Sequence, residues 1–142
     1  MDGKTVALAG GSGFIGRAIA RRLIAGGIKV RVLTRNREKA RAQLDLPGVD
    51  FVPADIAQPA SLKDALNGAE TVVDAIQFDG YPVENPRRGL TFERIDYGGA
   101  IALIDAAKQA GVKQFIYISG AAADQNSNHP GFRAKGRAER VI

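Results

Sequence analysis

The chain has 142 residues, of which 45% are hydrophobic and 25% are charged, so we expect one globular domain over residues 1–142. Cysteine is absent and His129 is the single histidine, which excludes disulfide bonds and thiol catalysis and leaves no expected metal site. The net charge of +5 comes from scattered lysines and arginines, and no apolar run approaches the ~20 residues of a membrane-spanning helix. We therefore expect no nucleic-acid partner and no membrane span.

Strand-like and helix-like segments alternate along the whole chain. Short apolar runs predict five strands, over residues 4–9, 29–34, 50–54, 71–76 and 114–119. Helical patterns separate them, over residues 14–25, 38–44, 61–67 and 91–110; Ser61 and Asp64 have capping-box spacing, and Gly98-Gly99 weakens the middle of the last helix. Strands joined by right-handed helical crossovers predict an α/β fold with a doubly wound parallel sheet in the order 3-2-1-4-5, the Rossmann fold.

A glycine-rich turn joins the first strand to the first helix, where residues 10–16 read GGSGFIG. Gly10 permits the tight turn, Gly13 lets a phosphate approach the backbone, and Gly16 allows close packing of the new helix. The N-terminus of that helix favours a pyrophosphate group. We predict a dinucleotide site formed by Gly10, Ser12, Gly13, Phe14, Ile15 and Gly16; the alternative is a glycine-rich turn in another α/β fold.

The residue after the second strand distinguishes the two nicotinamide cofactors. A carboxylate at this place binds the ribose 2′-hydroxyl of NAD, whereas this chain has Arg35 and no acidic residue before Glu38. A guanidinium suits a 2′-phosphate by charge and by its paired donors. The sequence therefore favours NADP(H) over NAD(H), unless Arg35 is merely a solvent-exposed loop residue.

Several further motifs resemble the extended and atypical branches of the short-chain dehydrogenase/reductase superfamily, which include NmrA-like proteins and the dehydrogenase-like accessory subunit of respiratory complex I. The matching segments are residues 54–56 (ADI), 74–77 (DAIQ), 96–100 (DYGGA) and 111–119 (GVKQFIYIS). The resemblance implies that the Asp55 carboxylate contacts the adenine amino group and that nearby residues line the cofactor. These lining residues are Ile56, Ala75, Ile76 and Gln77.

The chain departs from the superfamily at its acid/base residues. Lys135 matches the lysine of the Tyr-x-x-x-Lys motif, but Gly131 stands at the tyrosine position and Asp96 replaces the active-site asparagine. Glycine has no hydroxyl with which to protonate a developing alkoxide. Lys135 is expected either to bind the nicotinamide ribose or to be a solvated helix residue, and Ser119 either to line the nicotinamide pocket or to cap a turn.

The chain ends in a helical pattern without a breaker over residues 137–142, so we expect the N-terminal portion of a longer protein with a truncated C-terminal part. The resemblance implies an NADP(H)-dependent oxidoreductase or epimerase-like enzyme with an unknown small-molecule substrate. The alternative is a non-catalytic nucleotide-binding subunit or redox sensor. The first strand begins too early to leave room for a signal peptide, so a cytoplasmic protein is expected, and it is a candidate homo-oligomer.

Overall fold

The computed structural model describes residues 4–142, which form one parallel sheet covered by helices on both faces. The strands lie in the order β3-β2-β1-β4-β5, which confirms the predicted topology. Their bounds are β1 Thr5–Ala9, β2 Lys29–Thr34, β3 Val49–Pro53, β4 Thr71–Asp74 and β5 Gln114–Tyr117. The last two strands end two residues earlier than predicted, so residues 75–77 and 118–119 belong to the loops at the carboxyl edge of the sheet.

Five α-helices connect or follow these strands. Their bounds are α1 Phe14–Ala25, α2 Arg37–Leu44, α3 Pro59–Leu66, α4 Gly98–Gln109 and α5 Pro130–Glu139. A 3-10 turn spans Pro86–Arg88, and a π-helix spans Phe92–Tyr97 immediately before α4. Within residues 4–142, no helix is both long and apolar enough to cross a bilayer.

The core lies on both faces of the sheet, because successive strand side chains point to opposite sides. Val6 and Leu8 of β1 pack in the cluster that contains Ala20 of α1. Ala7 of the same strand packs in the opposite cluster with Leu103 of α4. This two-sided burial makes β1 the central strand and fixes the turn that follows it.

Two helix ends and the winding of one helix differ from the sequence predictions. Ser61 does not begin α3, which starts at Pro59 after Gln58; its hydroxyl instead accepts a hydrogen bond from the Asp55 N–H at 2.9 Å. The predicted helix over residues 91–110 changes its winding at Gly98, because the first part is a π-helix. The pattern over residues 137–142 does not continue as a helix, since α5 ends at Glu139.

Candidate cofactor-binding site

The glycine turn after β1 is shaped by close backbone approaches. Gly10 has a φ of +76°, and a Cβ there would collide with the backbone oxygen of Ala75. A Cβ at Gly16 would collide with the backbone of Gly10 and would lie 2.7 Å from the Gly11 Cα. Both positions therefore require glycine for the turn itself, whichever ligand it binds.

Gly13 differs from the other glycines because its free side faces the cavity. A Cβ at Gly13 would meet only the Gly10 oxygen, at 3.3 Å, and its φ of −74° suits any residue. Gly13 is the N-cap of α1, which has no acidic residue in its first turn. The first N–H groups of this helix have no partner within the helix, so they and the helix dipole favour an anion beside Gly13.

A cavity of about 840 Å³ extends along the carboxyl edge of β1, β2, β3 and β4. Its lining includes eleven of the predicted cofactor residues: Gly10, Ser12, Gly13, Phe14, Ile15, Arg35, Asp55, Ile56, Ala75, Ile76 and Gln77. Gly16, Ser119 and Lys135 are not among its lining residues. Ligands of open α/β sheets bind at this edge, so the geometry suits an extended nucleotide.

Asp55 is held at the end of β3 by two local hydrogen bonds. Its carboxylate accepts from the Ala57 N–H at 2.9 Å, and its own N–H donates to the Ser61 hydroxyl at 2.9 Å. Ile56 beside it packs against α4, because a Cβ at Gly99 would lie 2.6 Å from the Ile56 Cδ1. This end of the cavity therefore has one fixed carboxylate and an apolar floor, which suit an adenine ring.

A buried polar cluster, formed by Asp74, Asp96, Lys135, Tyr117 and Ser119, adjoins the ends of β4 and β5. Lys135 Nζ lies 3.5 Å from Asp96 Oδ1 and donates to the Ile118 oxygen at 3.3 Å. Neither carboxylate oxygen of Asp96 accepts a hydrogen bond of good geometry within residues 4–142. The hydroxyls of Tyr117 and Ser119 are buried and unpartnered over the same part of the chain. Such orphaned polar atoms fit a site that a polar ligand completes.

Burial has the largest effect on the pKa values of the two carboxyl groups and the phenol in this cluster. Asp74 is 3% exposed, and burial raises its pKa from 3.8 to about 6, although the Ile76 N–H and Lys135 act in the opposite direction. Burial also raises the pKa of Asp96, against the lowering effect of Lys135. Burial raises the pKa of Tyr117 as well, so its phenol stays neutral. Lys135 thus lowers the pKa of both carboxyl groups, and Asp74 also accepts a hydrogen bond from the Ile76 N–H.

Gly131, which the sequence resemblance matches to the superfamily tyrosine, lies against an aromatic ring. A Cβ at Gly131 would lie 2.8 Å from Phe92 Cε1 and 3.1 Å from His129 Cε1. Phe92 is itself buried, with its ring centroid 4.9 Å from that of Phe78. A larger side chain at position 131 therefore requires Phe92 to move. Position 131 thus lacks both a hydroxyl group and the space for a side chain that would carry one.

Sequence reasoning missed several residues of this region. Lys39, Arg88 and Arg94 line the cavity but belong to no motif. Their signal was their charge alone, which is weak because most arginines and lysines are simply exposed. Asp74 was predicted only as part of the segment 74–77 that lines the cofactor. An acidic residue in an otherwise apolar, buried strand indicates a functional group, and this signal was present in the sequence.

The fold and the cavity together define a dinucleotide-binding Rossmann domain. The family of NAD(P)H-binding proteins matches residues 10–142, and the chain belongs to this family. It is 32% identical over 138 residues to a photosystem II assembly factor Ycf39 from Cyanophora paradoxa, covering 97% of this chain and 41% of that protein. It is 29% identical over 145 residues to the mitochondrial NADH-ubiquinone oxidoreductase 40 kDa subunit of Neurospora crassa, covering 37% of it. These relatives confirm the resemblance to the atypical dehydrogenase/reductase group.

Other matches agree with this placement. A 2-alkyl-3-oxoalkanoate reductase from Shewanella oneidensis is 31% identical over 115 residues, with coverage of 78% of this chain and 27% of the reductase. The structure of Pen from Bacillus thuringiensis superimposes with a TM-score of 0.81 at 24% identity, covering 98% of this chain and 44% of Pen, and supports the fold. A nucleoside-diphosphate-sugar epimerase from Staphylococcus aureus has a TM-score of 0.73 at 27% identity, covering 96% and 45%. The chain thus spans less than half the length of each of these proteins.

Proposed function

We propose that this chain binds NADP(H) in preference to NAD(H). The observation that carries the proposal is the pair of cations, Arg35 and Lys39, that line the cavity just after β2. Glu38, the first acidic residue after this strand, is not among the lining residues. A 2′-phosphate placed there gains charge-assisted hydrogen bonds, whereas a 2′-hydroxyl lacks its usual carboxylate partner.

The lining of the cavity supports further contacts in this proposal. Ser12 and Gly13 at the N-terminus of α1 would hold the pyrophosphate, Ile56 would support the adenine, and Asp55 would accept from its amino group. Ala75, Ile76 and Gln77 line the passage toward the ends of β4 and β5. Lys135 and Ser119 lie beyond this passage, where they would position the nicotinamide ribose. The reduced nicotinamide supplies a hydride when bound.

Titration of the purified chain with NADPH and NADH tests this proposal. We expect NADPH to bind more tightly, and Arg35→Asp to weaken NADPH binding about tenfold to more than a hundredfold, because a charged hydrogen bond contributes roughly 1.5–3 kcal/mol. Arg37→Asp is the matched control, since Arg37 is an exposed neighbour that does not line the cavity. Equal affinities of the wild-type chain for both cofactors contradict the proposal.

Two uses of the bound cofactor are supported by different observations. The closed space at Gly131 and the pairing of Lys135 with Asp96 support a non-catalytic nucleotide-binding subunit or redox sensor. The likeness to a 2-alkyl-3-oxoalkanoate reductase supports an oxidoreductase of unknown substrate. We favour the non-catalytic nucleotide-binding role for these 142 residues, and an assay of carbonyl reduction distinguishes it from the oxidoreductase role. The cytoplasmic location and the formation of a homo-oligomer remain predictions.

A further inference from the structure

Residues 77–91, which precede the π-helix, are hereafter called the rim segment; together with the π-helix this segment forms one wall of the cavity. It is fixed by several contacts rather than extended into solvent. Asn85 pairs with Leu90 in an antiparallel bridge, and the Asn85 side chain accepts a hydrogen bond from the Arg88 N–H at 3.3 Å. The Glu84 carboxylate accepts from the Phe92 N–H at 2.8 Å. The rim segment therefore presents Arg88 to the cavity on a defined turn.

Arg94 stands beside Arg88 in a place made by a glycine. Gly89 has a φ of +69°, and a Cβ there would collide with the Arg94 guanidinium. The Arg94 N–H donates to the Thr91 hydroxyl at 3.2 Å, which anchors the first turn of the π-helix. Arg88, Gly89 and Arg94 all line the cavity. Because Gly89 has no side chain, the Arg94 guanidinium can pack against it at the edge of the cavity.

Part of this wall adjoins the end of the cavity that contains Ile56. The π-helix continues directly into α4, whose Gly99 contacts Ile56, the residue next to Asp55. Ile95 and Leu103 line the same cavity, so the helix that carries Arg94 also borders the apolar floor. The proposed position of the pyrophosphate, at Gly13, borders α1 instead.

The side chains that line the cavity carry more positive than negative charges. Arg35, Lys39, Arg88 and Arg94 line it, and none of them forms an ion pair with another residue of the stretch 4–142. The carboxylates that line it are Asp55 and Asp79. An adenosine without a further phosphate offers these four cations no partner, whereas a phosphate does.

We propose that Arg88 and Arg94, which line the same cavity as Arg35, bind the 2′-phosphate of NADP(H) and so determine cofactor specificity together with Arg35. The inference rests on the proposed function, because it assigns a second group of ligands to the same phosphate. The two guanidiniums of the wall would add to the arginine and the lysine that follow β2 as ligands of this phosphate.

The test compares two double variants by calorimetric titration with NADPH and NADH. Arg88→Ala/Arg94→Ala removes the two lining arginines, and Arg87→Ala/Arg140→Ala removes two exposed arginines that do not line the cavity. Both variants lose the same net charge. We expect the first to weaken NADPH binding about tenfold to a hundredfold and NADH binding by less than about threefold, and the second to resemble the wild type.

The outcomes separate this inference from the proposed function. If the wild-type chain prefers NADPH and both double variants keep that preference, the proposed function stands and the role of Arg88 and Arg94 is refuted. If the first variant loses affinity for both cofactors equally, these arginines bind the pyrophosphate and the 2′-phosphate assignment is wrong. If the wild-type chain shows no preference, both proposals fail.

Discussion

At the scale of single residues, the glycines of one turn have separate tasks. Gly16 has no room for a Cβ, whereas a Cβ at Gly13 would make one tight contact, 3.3 Å from the Gly10 oxygen, and Gly13 has an ordinary φ. We therefore expect Gly13→Val to leave the fold intact and to abolish NADPH binding, since the valine side chain would stand where the phosphate approaches. Gly16→Val should lower the melting temperature instead. Calorimetry for binding and circular dichroism for unfolding measure the two effects, and a folded Gly13→Val chain with unchanged NADPH affinity contradicts the prediction.

Asp74 gives the chain a pH-dependent stability. Its pKa of about 6 in the folded protein lies above the ordinary value of 3.8, so the folded state binds more protons between these values. Stability contributed by this group therefore decreases as the pH rises from about 4 to about 6, and above pH 6 the ionised form costs up to roughly 3 kcal/mol. The groups that act on it are the Ile76 N–H, Lys135 and Asp96.

Asp74→Asn removes this titration while an amide oxygen can still accept from the Ile76 N–H. We expect the variant to gain about 1–3 kcal/mol of unfolding free energy at pH 7.5 and to gain nothing at pH 4. Urea denaturation at the two pH values measures the difference. Asp105→Asn, an exposed carboxylate of α4, is the control and should change neither value. An equal effect of Asp74→Asn at both pH values counts against the assignment.

At the scale of elements, Ser61 joins the end of β3 to α3. Its hydroxyl accepts from the Asp55 N–H at 2.9 Å and lies 2.7 Å from the Gln58 oxygen. We expect Ser61→Ala to cost about 1–2 kcal/mol of stability, because the part-buried Asp55 N–H is left without its partner. NADPH affinity should also fall, since Asp55 loses an anchor. Thermal unfolding and titration test this, with Ala60→Ser as a control at an exposed neighbouring position; an unchanged melting temperature would show that water replaces the hydroxyl.

The sequence predicted elements where local pattern and tertiary packing agree. Apolar runs and the turn at Gly10 placed β1, β2 and α1 correctly, because each run is buried and each turn needs glycine. Prediction was incomplete where a long-range contact decides the structure. The π-helix over Phe92–Tyr97 brings Asp96 to Lys135, and no local pattern records that ion pair.

The error at the start of α3 has a local cause. Ser61 has the spacing of a capping residue, yet α3 begins two residues earlier, at Pro59, and the Ser61 hydroxyl accepts a hydrogen bond from the Asp55 N–H. His129 lies in a polar stretch, but its Nδ1 accepts from the Gly131 N–H at 3.1 Å and caps α5. The glycine motif was predictable because it is contiguous. The positions of Arg88 and Arg94 in the cavity lining were not predictable, because the two arginines belong to no contiguous motif and reach the cavity only through folding.

At the scale of the whole molecule, β5 is the edge strand beside β4. Its Ile116 is 39% exposed, and open apolar edges promote association. We expect a protein of these 142 residues to self-associate with increasing concentration, and Ile116→Lys to reduce this. Val83→Lys is the control, because Val83 is 72% exposed but lies in the rim segment. Analytical ultracentrifugation measures the effect, and a wild-type chain that is monomeric at all concentrations refutes the prediction.

The arrangement of these residues also leads to a prediction about catalysis. We expect it to bind NADPH and to reduce no aldehyde, ketone or quinone at a detectable rate, because Phe92 closes the space at Gly131 and Asp96 pairs with Lys135. General acid catalysis contributes about 10²–10⁴-fold in rate, and the positioning of a substrate contributes a further large factor. Absorbance of NADPH with a panel of carbonyl compounds is the measurement, and binding must first be established by titration of the same sample. Robust turnover that Lys135→Ala abolishes would show that the chain is an oxidoreductase with another proton donor.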